Sequence, residues 1–340
     1  MKYIVTFGEV LMRFAPSNHR RIIQSDVFSS CYSGAEANVA ISLAYYGDKV
    51  RFVSKLPDNI LGDAAENEIR KFGVDTSFCA RGGNRLGIYF TERGTSQRAT
   101  TVLYDRSGSS FSRSSQQDYE WEKIFEDSEW FHFSGIDLAL NEEVFQACKR
   151  ACEIAKKRNV KVCFDVNYRS LLVEKDVFLE RINQILPMVD LLVGNELELA
   201  MLSGRDIPLI DLDDYDKYID KCYKSASAIQ EKYGIESIAV SLRKLKSASE
   251  TTWSGMMLNG DEMFINNWFD IKVEEVIGCG DAFVAGLLHS LTNGKSMRYA
   301  LGFAVSAGCL KHTIEGDYNL VKEFEVDQLM ANAIYGIVNR

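Results

Sequence analysis

The chain has 340 residues, 46% hydrophobic and 26% charged, with only 4 prolines. This excludes a disordered segment and leaves room for one large domain with a small appendage. The formal net charge of −9 excludes the basic face that nucleic-acid binding needs, while leaving open a local basic pocket for a small anion.

Short runs of strand formers alternate with amphipathic helical patterns. Tyr3–Phe7 reads as a strand, and Ala35–Tyr46 as a helix closed by Gly47. Arg51–Ser54 reads as a strand, and Leu61–Phe72 as a helix closed by Gly73. Next come strand Trp130–Phe133, helix Glu142–Arg158, strand Lys161–Asp165 and helix Val177–Leu186. Strand Leu191–Val193, short helix Leu197–Ser203, helix Tyr215–Tyr233 and strand Ile238–Leu242 follow. The last quarter reads as mostly helix, over Ala282–Ser290, Met297–His312 and Gln328–Val338. Such alternation predicts an α/β fold, a doubly wound, mostly parallel sheet with helices on both faces.

Two segments break the rhythm. Residues 10–32 and 86–112 lack long helix patterns and are rich in strand formers, among them Phe14, Phe28, Tyr89, Val102 and Tyr104. They predict a small, discontinuous β-sheet lid on a main domain of residues 1–9, 33–85 and 113–340. The exposed edges of such a sheet suit pairing with a second copy, so a homo-oligomer through the lid is expected. The acidic stretch Arg205–Asp220 reads as a solvated loop and helix start.

No apolar run approaches the ~20 residues that span a bilayer. Glu9 and Arg13 interrupt any apolar core of a leader peptide. The eight cysteines contain no C-x-x-C pair, and the four histidines are scattered, so no zinc pattern arises. Free thiols and a cytoplasmic location are expected.

Gly278-Cys279-Gly280-Asp281 runs directly into an apolar helix pattern from Ala282 and Phe283. Glycines let consecutive N–H groups aim at one point, and a helix N-terminus adds unsatisfied donors and positive dipole there. An anion such as a phosphoryl group in transit fits that place, with Asp281 as a base for an incoming hydroxyl. The plainer reading makes Asp281 an N-cap after a glycine turn. Gly34-Ala35-Glu36-Ala37-Asn38 lets a ligand approach a second helix start, where Asn38 can bond hydroxyls; the alternative is a plain helix capped by Ser33. Asn195 and Glu198 share a helical face after a strand. They suit either a water-mediated Mg²⁺ or a capping pair. Arg106 and Arg169 follow strands and could converge on a carboxylate or phosphate. Two decoys fail. The dinucleotide fingerprint lacks its third glycine, since Phe283 stands there, and a Walker loop ending at Gly294-Lys295-Ser296 would begin on His289.

Together these segments resemble the ribokinase-like (PfkB) carbohydrate kinases, nearly end to end. The resemblance rests on Glu275-Val276-Ile277-Gly278-Cys279-Gly280-Asp281-Ala282-Phe283, on Asn195 to Glu198, and on Ser33 to Asn38. Within the family the chain is most similar to the 2-keto-3-deoxygluconate kinases, through Gly8 to Leu11, Asp165 to Arg169, and Leu310 to Asp317. The resemblance implies ATP as co-substrate with Mg²⁺, and a sugar acid as acceptor. It implies Asp281 as base and Gly34, Asn38, Tyr89, Tyr104, Arg106, Arg169 and Asp317 as sugar-acid contacts. Gly278, Cys279 and Gly280 would form the anion hole. Asn167, Asn195, Ser241, Arg243 and His312 would border the nucleotide, and Asn195 with Glu198 would hold Mg²⁺ through water. Glu275 stands where the family usually has Asp, which leaves a monovalent cation open. Cys279 stands where it usually has Ala. The other readings are a fructokinase- or ribokinase-type enzyme, a catalytically silent sugar- and nucleotide-binding paralogue, and, disfavoured, a nicotinamide oxidoreductase.

Overall fold

The computed structural model describes residues 2–207 and 215–331. Its centre is a nine-stranded sheet. From one edge the strands run Glu262–Ile265, Glu250–Asn259, Ser237–Ser247, Leu191–Asn195, Lys161–Asp165, Ser128–Ser134, Tyr3–Phe7 and Val50–Val53, with Phe269–Lys272 also pairing to Glu250–Asn259. From Ser237–Ser247 to Val50–Val53 every pairing is parallel. Parallel strands buried on both faces read as near-continuous apolar runs, and side-chain alternation divides them between two cores. In Tyr3–Phe7, Ile4 joins one core while Val5 and Phe7 join the other. Helices Ala35–Tyr46, Cys279–Thr292 and Met297–Lys311 pack against the Ile4 face; Glu142–Lys157, Lys175–Ile185 and Tyr215–Tyr233 pack against the opposite one. This is the doubly wound arrangement that the alternating pattern predicts.

Local chemistry sets the helix ends. Gly47 takes φ +97° and closes Ala35–Tyr46, with the Asp48 amide returning to the Leu43 carbonyl at 3.1 Å. Asn141 caps Glu142–Lys157 by accepting from the Val144 amide at 3.0 Å.

A separate four-stranded sheet, ordered Phe28–Ser33, Leu11–Pro16, Gly87–Glu92 and Thr101–Asp105, joins the two segments that lacked helix patterns. Three antiparallel strands, Glu250–Asn259, Glu262–Ile265 and Phe269–Lys272, were not expected. Glu250–Asn259 is buried along nearly its whole length, so it shows no apolar–polar alternation to read. The expected helix Gln328–Val338 and the acidic residues Asp211, Asp213 and Asp214 lie wholly or partly outside the described residues. Helix Glu323–Met330 is what that region shows. Among the described residues no helix is long and apolar enough to cross a membrane.

Candidate active site

A cavity of about 970 Å³ opens where the parallel strands end, between the main sheet and the small one. Open α/β sheets bind ligands at this place because loops and helix N-termini converge there. Lys161–Asp165 delivers Asp165 and Asn167, and Leu191–Asn195 delivers Asn195. The small sheet contributes Tyr89 and Tyr104. Asn167 holds φ +37°, uncommon for a residue with a side chain, and its Nδ2 donates to Asp165 Oδ2 at 3.1 Å.

Gly278 to Asp281 line this cavity at the mouth of helix Cys279–Thr292. Gly278 is the N-cap at φ +85°, and a Cβ there would come within 2.0 Å of the Asp317 carbonyl oxygen. Both its conformation and its clearance therefore require glycine. A Cβ at Gly280 would meet open space, so what that glycine leaves free is room for a ligand to approach the backbone. Cys279 is 2% exposed, and burial pushes its thiol up to about 12, so it packs as a small apolar residue rather than reacting. At Gly34 a Cβ would come within 1.9 Å of the Glu9 carbonyl oxygen, which brings helix Ala35–Tyr46 close to the turn after the first strand. Ser33 does not cap that helix; its hydroxyl is spent on Asp317 and Tyr89.

Asp281 sits in the first turn of its helix and accepts a hydrogen bond from Asn38 Nδ2 at 2.7 Å. Desolvation pushes its carboxyl up to about 7, with repulsion from Glu36 and Asp317 adding to the rise and Asn38 and Arg169 opposing it. Glu36, in the same cavity wall, is likewise pushed by burial to about 7, and burial drives Asp165 upward as well. A carboxyl poised near neutrality and in hydrogen-bond reach of bound hydroxyls is what a general base requires.

The two arginines differ in kind. Arg169 is exposed and lines the cavity; its carbonyl accepts from the Leu172 amide at 2.9 Å, but its guanidinium makes no hydrogen bond to another described residue. Arg106 is 8% exposed, and its Nε and Nη2 both donate to Glu9, the former at 2.8 Å. Both line the cavity as expected, but Glu9 already neutralises Arg106, and only the Arg169 guanidinium is without a hydrogen-bonded protein partner. Tyr104 bridges the two regions, stacking on Tyr89 with ring centroids 5.7 Å apart and lying under the Arg106 guanidinium.

Behind Tyr89 lies a network that sequence reasoning missed. Arg13 donates to Asp317, to Glu275 at 2.8 Å and to Thr91 at 3.0 Å. The hydroxyls of Ser33 and Tyr89 also donate to Asp317. Asp317 and Tyr89 therefore line the cavity with their polar atoms already engaged. No short-range signal marks Arg13, since its partners stand 304 and 262 residues away.

Asn195 accepts from the amides of Leu197 at 3.0 Å and Glu198 at 3.1 Å, while Glu198 accepts from those of Asn195 and Tyr168, each at 2.9 Å. The capping pair is therefore real. Each Glu198 oxygen nevertheless keeps a lone pair, and both side chains line the cavity with oxygen donors. Among the described residues no three acidic, histidine or cysteine groups could hold an ion directly. The donor set fits a hydrated Mg²⁺ held through water, not a protein cage. Ser241 and Arg243 border the same end. His312 is a correction: it is wholly buried, packs edge-on against Trp253 with ring centroids 5.1 Å apart, and does not line the cavity, which Trp253 does.

Comparison with known proteins agrees with this geometry. The model of the pfkB family carbohydrate kinases matches residues 1–323. The 2-dehydro-3-deoxygalactonokinase of Haloferax volcanii is 28% identical over 335 residues, covering 98% of each chain. The 2-dehydro-3-deoxygluconokinase of Bacillus subtilis is 26% identical, covering 92% of this chain and 90% of its own. The crystal structure of 2-dehydro-3-deoxygluconokinase from Thermotoga maritima superposes with a TM-score of 0.92 at 38% identity, covering 97% of this chain and 98% of that one. The match over residues 1–323 takes in every residue of the cavity wall, and the chain accordingly belongs to the pfkB family of carbohydrate kinases, phosphotransferases that act on a hydroxyl.

Proposed function

We propose that the chain is an ATP-dependent sugar-acid kinase that converts 2-keto-3-deoxygluconate to its 6-phosphate. The observation that carries this reading is the unengaged guanidinium of Arg169 in the same cavity as Asp281 and the glycine turn. A planar fork with no hydrogen-bonded protein partner is suited to a carboxylate ligand, and a neutral sugar would leave it without one.

In the proposed reaction Asp281 accepts the proton of the terminal hydroxyl. The sugar oxygen forms a bond to the γ-phosphorus, the bond from that phosphorus to the β–γ bridging oxygen breaks, and its electron pair leaves on ADP. The amides at Gly278 to Gly280 donate to the phosphoryl oxygens where charge gathers. Asn38 fixes the Asp281 carboxylate through the 2.7 Å bond and leaves its own carbonyl for a sugar hydroxyl. Gly34, Tyr89 and Tyr104 shape the sugar-acid end; Asn167, Asn195, Ser241 and Arg243 border the nucleotide end. Asn195 and Glu198 would hold a hydrated Mg²⁺ through water, and when bound it would supply charge neutralisation for the phosphates. The small sheet acts as a lid that excludes water, which would otherwise take the phosphoryl group.

An ADP-release assay over sugar acids and neutral sugars tests the reading. Turnover is expected with 2-keto-3-deoxygluconate or its galactonate-derived epimer, and little with fructose or ribose. Preference for a neutral sugar would replace this reading with a fructokinase- or ribokinase-type one, and ligand binding without turnover would indicate a silent paralogue. Arg169→Ala is expected to raise KM for the sugar acid roughly 10- to 100-fold, the size of a lost charge-assisted pair. KM for a poorly used neutral sugar is expected to stay unchanged. Equal rises for both would remove the carboxylate role.

A further inference from the structure

We propose that Lys311 is a positioning residue for phosphoryl transfer, its buried ammonium supplying positive charge from behind the glycine turn that receives the phosphoryl group. The proposal rests on the kinase reading above. Four cationic side chains are buried among the described residues: Arg13, Arg51, Arg106 and Lys311. Arg51 holds Asp75 at 3.3 Å, Arg106 holds Glu9, and Arg13 holds two carboxylates, Glu275 and Asp317. Lys311 is 0% exposed, and its Nζ makes one hydrogen bond, to the Ile314 carbonyl at 3.0 Å. One full charge and three donors thus have a single neutral partner.

Its position gives the charge a purpose. A Cβ on Gly278 would lie 3.2 Å from Lys311 Cε, so the end of the lysine packs directly beneath the N-cap of helix Cys279–Thr292. The amides of Glu274 and Glu275 donate to the His312 carbonyl at 2.8 and 3.2 Å, tying the turn to the lysine's own segment. The ammonium also opposes the burial-driven rise of the Cys279 thiol, so its field reaches the turn. The plainer role is a cation at the C-terminus of helix Met297–Lys311. A helix end returns less than the cost of burying an unpaired ammonium, and an exposed lysine would serve it as well. An anion arriving on the far side of the turn is the missing counter-charge. A fixed charge in a dry site acts strongly there without rearranging during the reaction. Lys311 does not line the cavity, so it acts through the turn and not on the substrate.

The test compares Lys311→Met and Lys311→Gln with the wild-type chain. Thermal midpoints are read in sodium chloride and in sodium sulfate at equal ionic strength, and kcat and KM are read in the ADP-release assay. Lys311→Met is expected to be at least as stable as wild type in chloride, since an apolar isostere replaces an unpaired charge. It should lose the stabilisation by sulfate and drop kcat by about 10²-fold, the scale of one oxyanion donor, with KM for the sugar acid within about twofold of wild type. A kcat within threefold of wild type, or undiminished sulfate stabilisation, overturns the proposal. Unfolding of both variants overturns it as well, because it would make Lys311 a structural prop. The sulfate readout needs no sugar. A wild-type chain that turns over no sugar acid yet gains stability from sulfate only when Lys311 is present defeats the substrate reading and leaves this one standing.

Discussion

Asp281→Asn is expected to lose about 10³-fold in kcat, within the range general-base catalysis supplies, while KM for the sugar acid changes less than about threefold. The amide keeps the shape of the carboxyl and its contact with Asn38 but cannot take a proton. In the wild-type chain the acid limb of kcat/KM should have its midpoint near 7, where burial has pushed the Asp281 carboxyl. Below that pH the group is protonated and cannot act as a base. Asn38→Ala removes a bond that favours the carboxylate, so its limb should shift to higher pH. Stability should move the other way from activity. The native state holds the proton up to about 7 and the unfolded chain releases it near its ordinary value, so Asp281 costs stability progressively as pH rises through that window. Asp281→Asn should therefore melt higher than wild type at pH 8, with the gain vanishing below pH 4. Near-wild-type turnover in the purified variant would sink the base assignment.

Arg13→Met should be the most destabilising single change outside the apolar core. It strands two carboxylates, Asp317 and Glu275, each only 2% exposed, and breaking a buried pair from one side costs about 3–5 kcal/mol. The urea midpoint should fall accordingly, and sugar-acid KM should rise because Asp317 and Tyr89 lose their fixed positions. Adding Asp317→Asn should recover part of the lost stability, since one uncompensated charge disappears with it. A double variant no more stable than Arg13→Met would show that Arg13 acts through packing and not through charge.

These sites were unequally legible. Helix Ala35–Tyr46 and strand Lys161–Asp165 were readable to the residue, as was the end of helix Tyr215–Tyr233, because glycine punctuation and periodicity are local. Gly278 to Asp281 was readable for the same reason: turn and helix start adjoin in sequence. Strand Glu250–Asn259 was not, since burial on both faces erases alternation. Side-chain partnership across the fold was hidden altogether. Nothing local tells that Glu9 claims Arg106 from 97 residues away, or that His312 is buried against Trp253 and off the cavity wall. Lys311 likewise passes for an ordinary helix-end lysine until its burial is seen.

The packing of Cys279 has a practical corollary. Its sulfur is shut away at the cradle and hydrogen-bonded to the Glu275 carbonyl at 3.5 Å, and burial also holds the half-buried Cys31 and Cys79 near 12. Maleimide and iodoacetamide chemistry attacks the thiolate, which these sites scarcely populate at neutral pH. A fluorophore meant to report on nucleotide arrival must therefore be anchored at a cysteine introduced on the rim, with the native sulfurs left in place as silent bystanders.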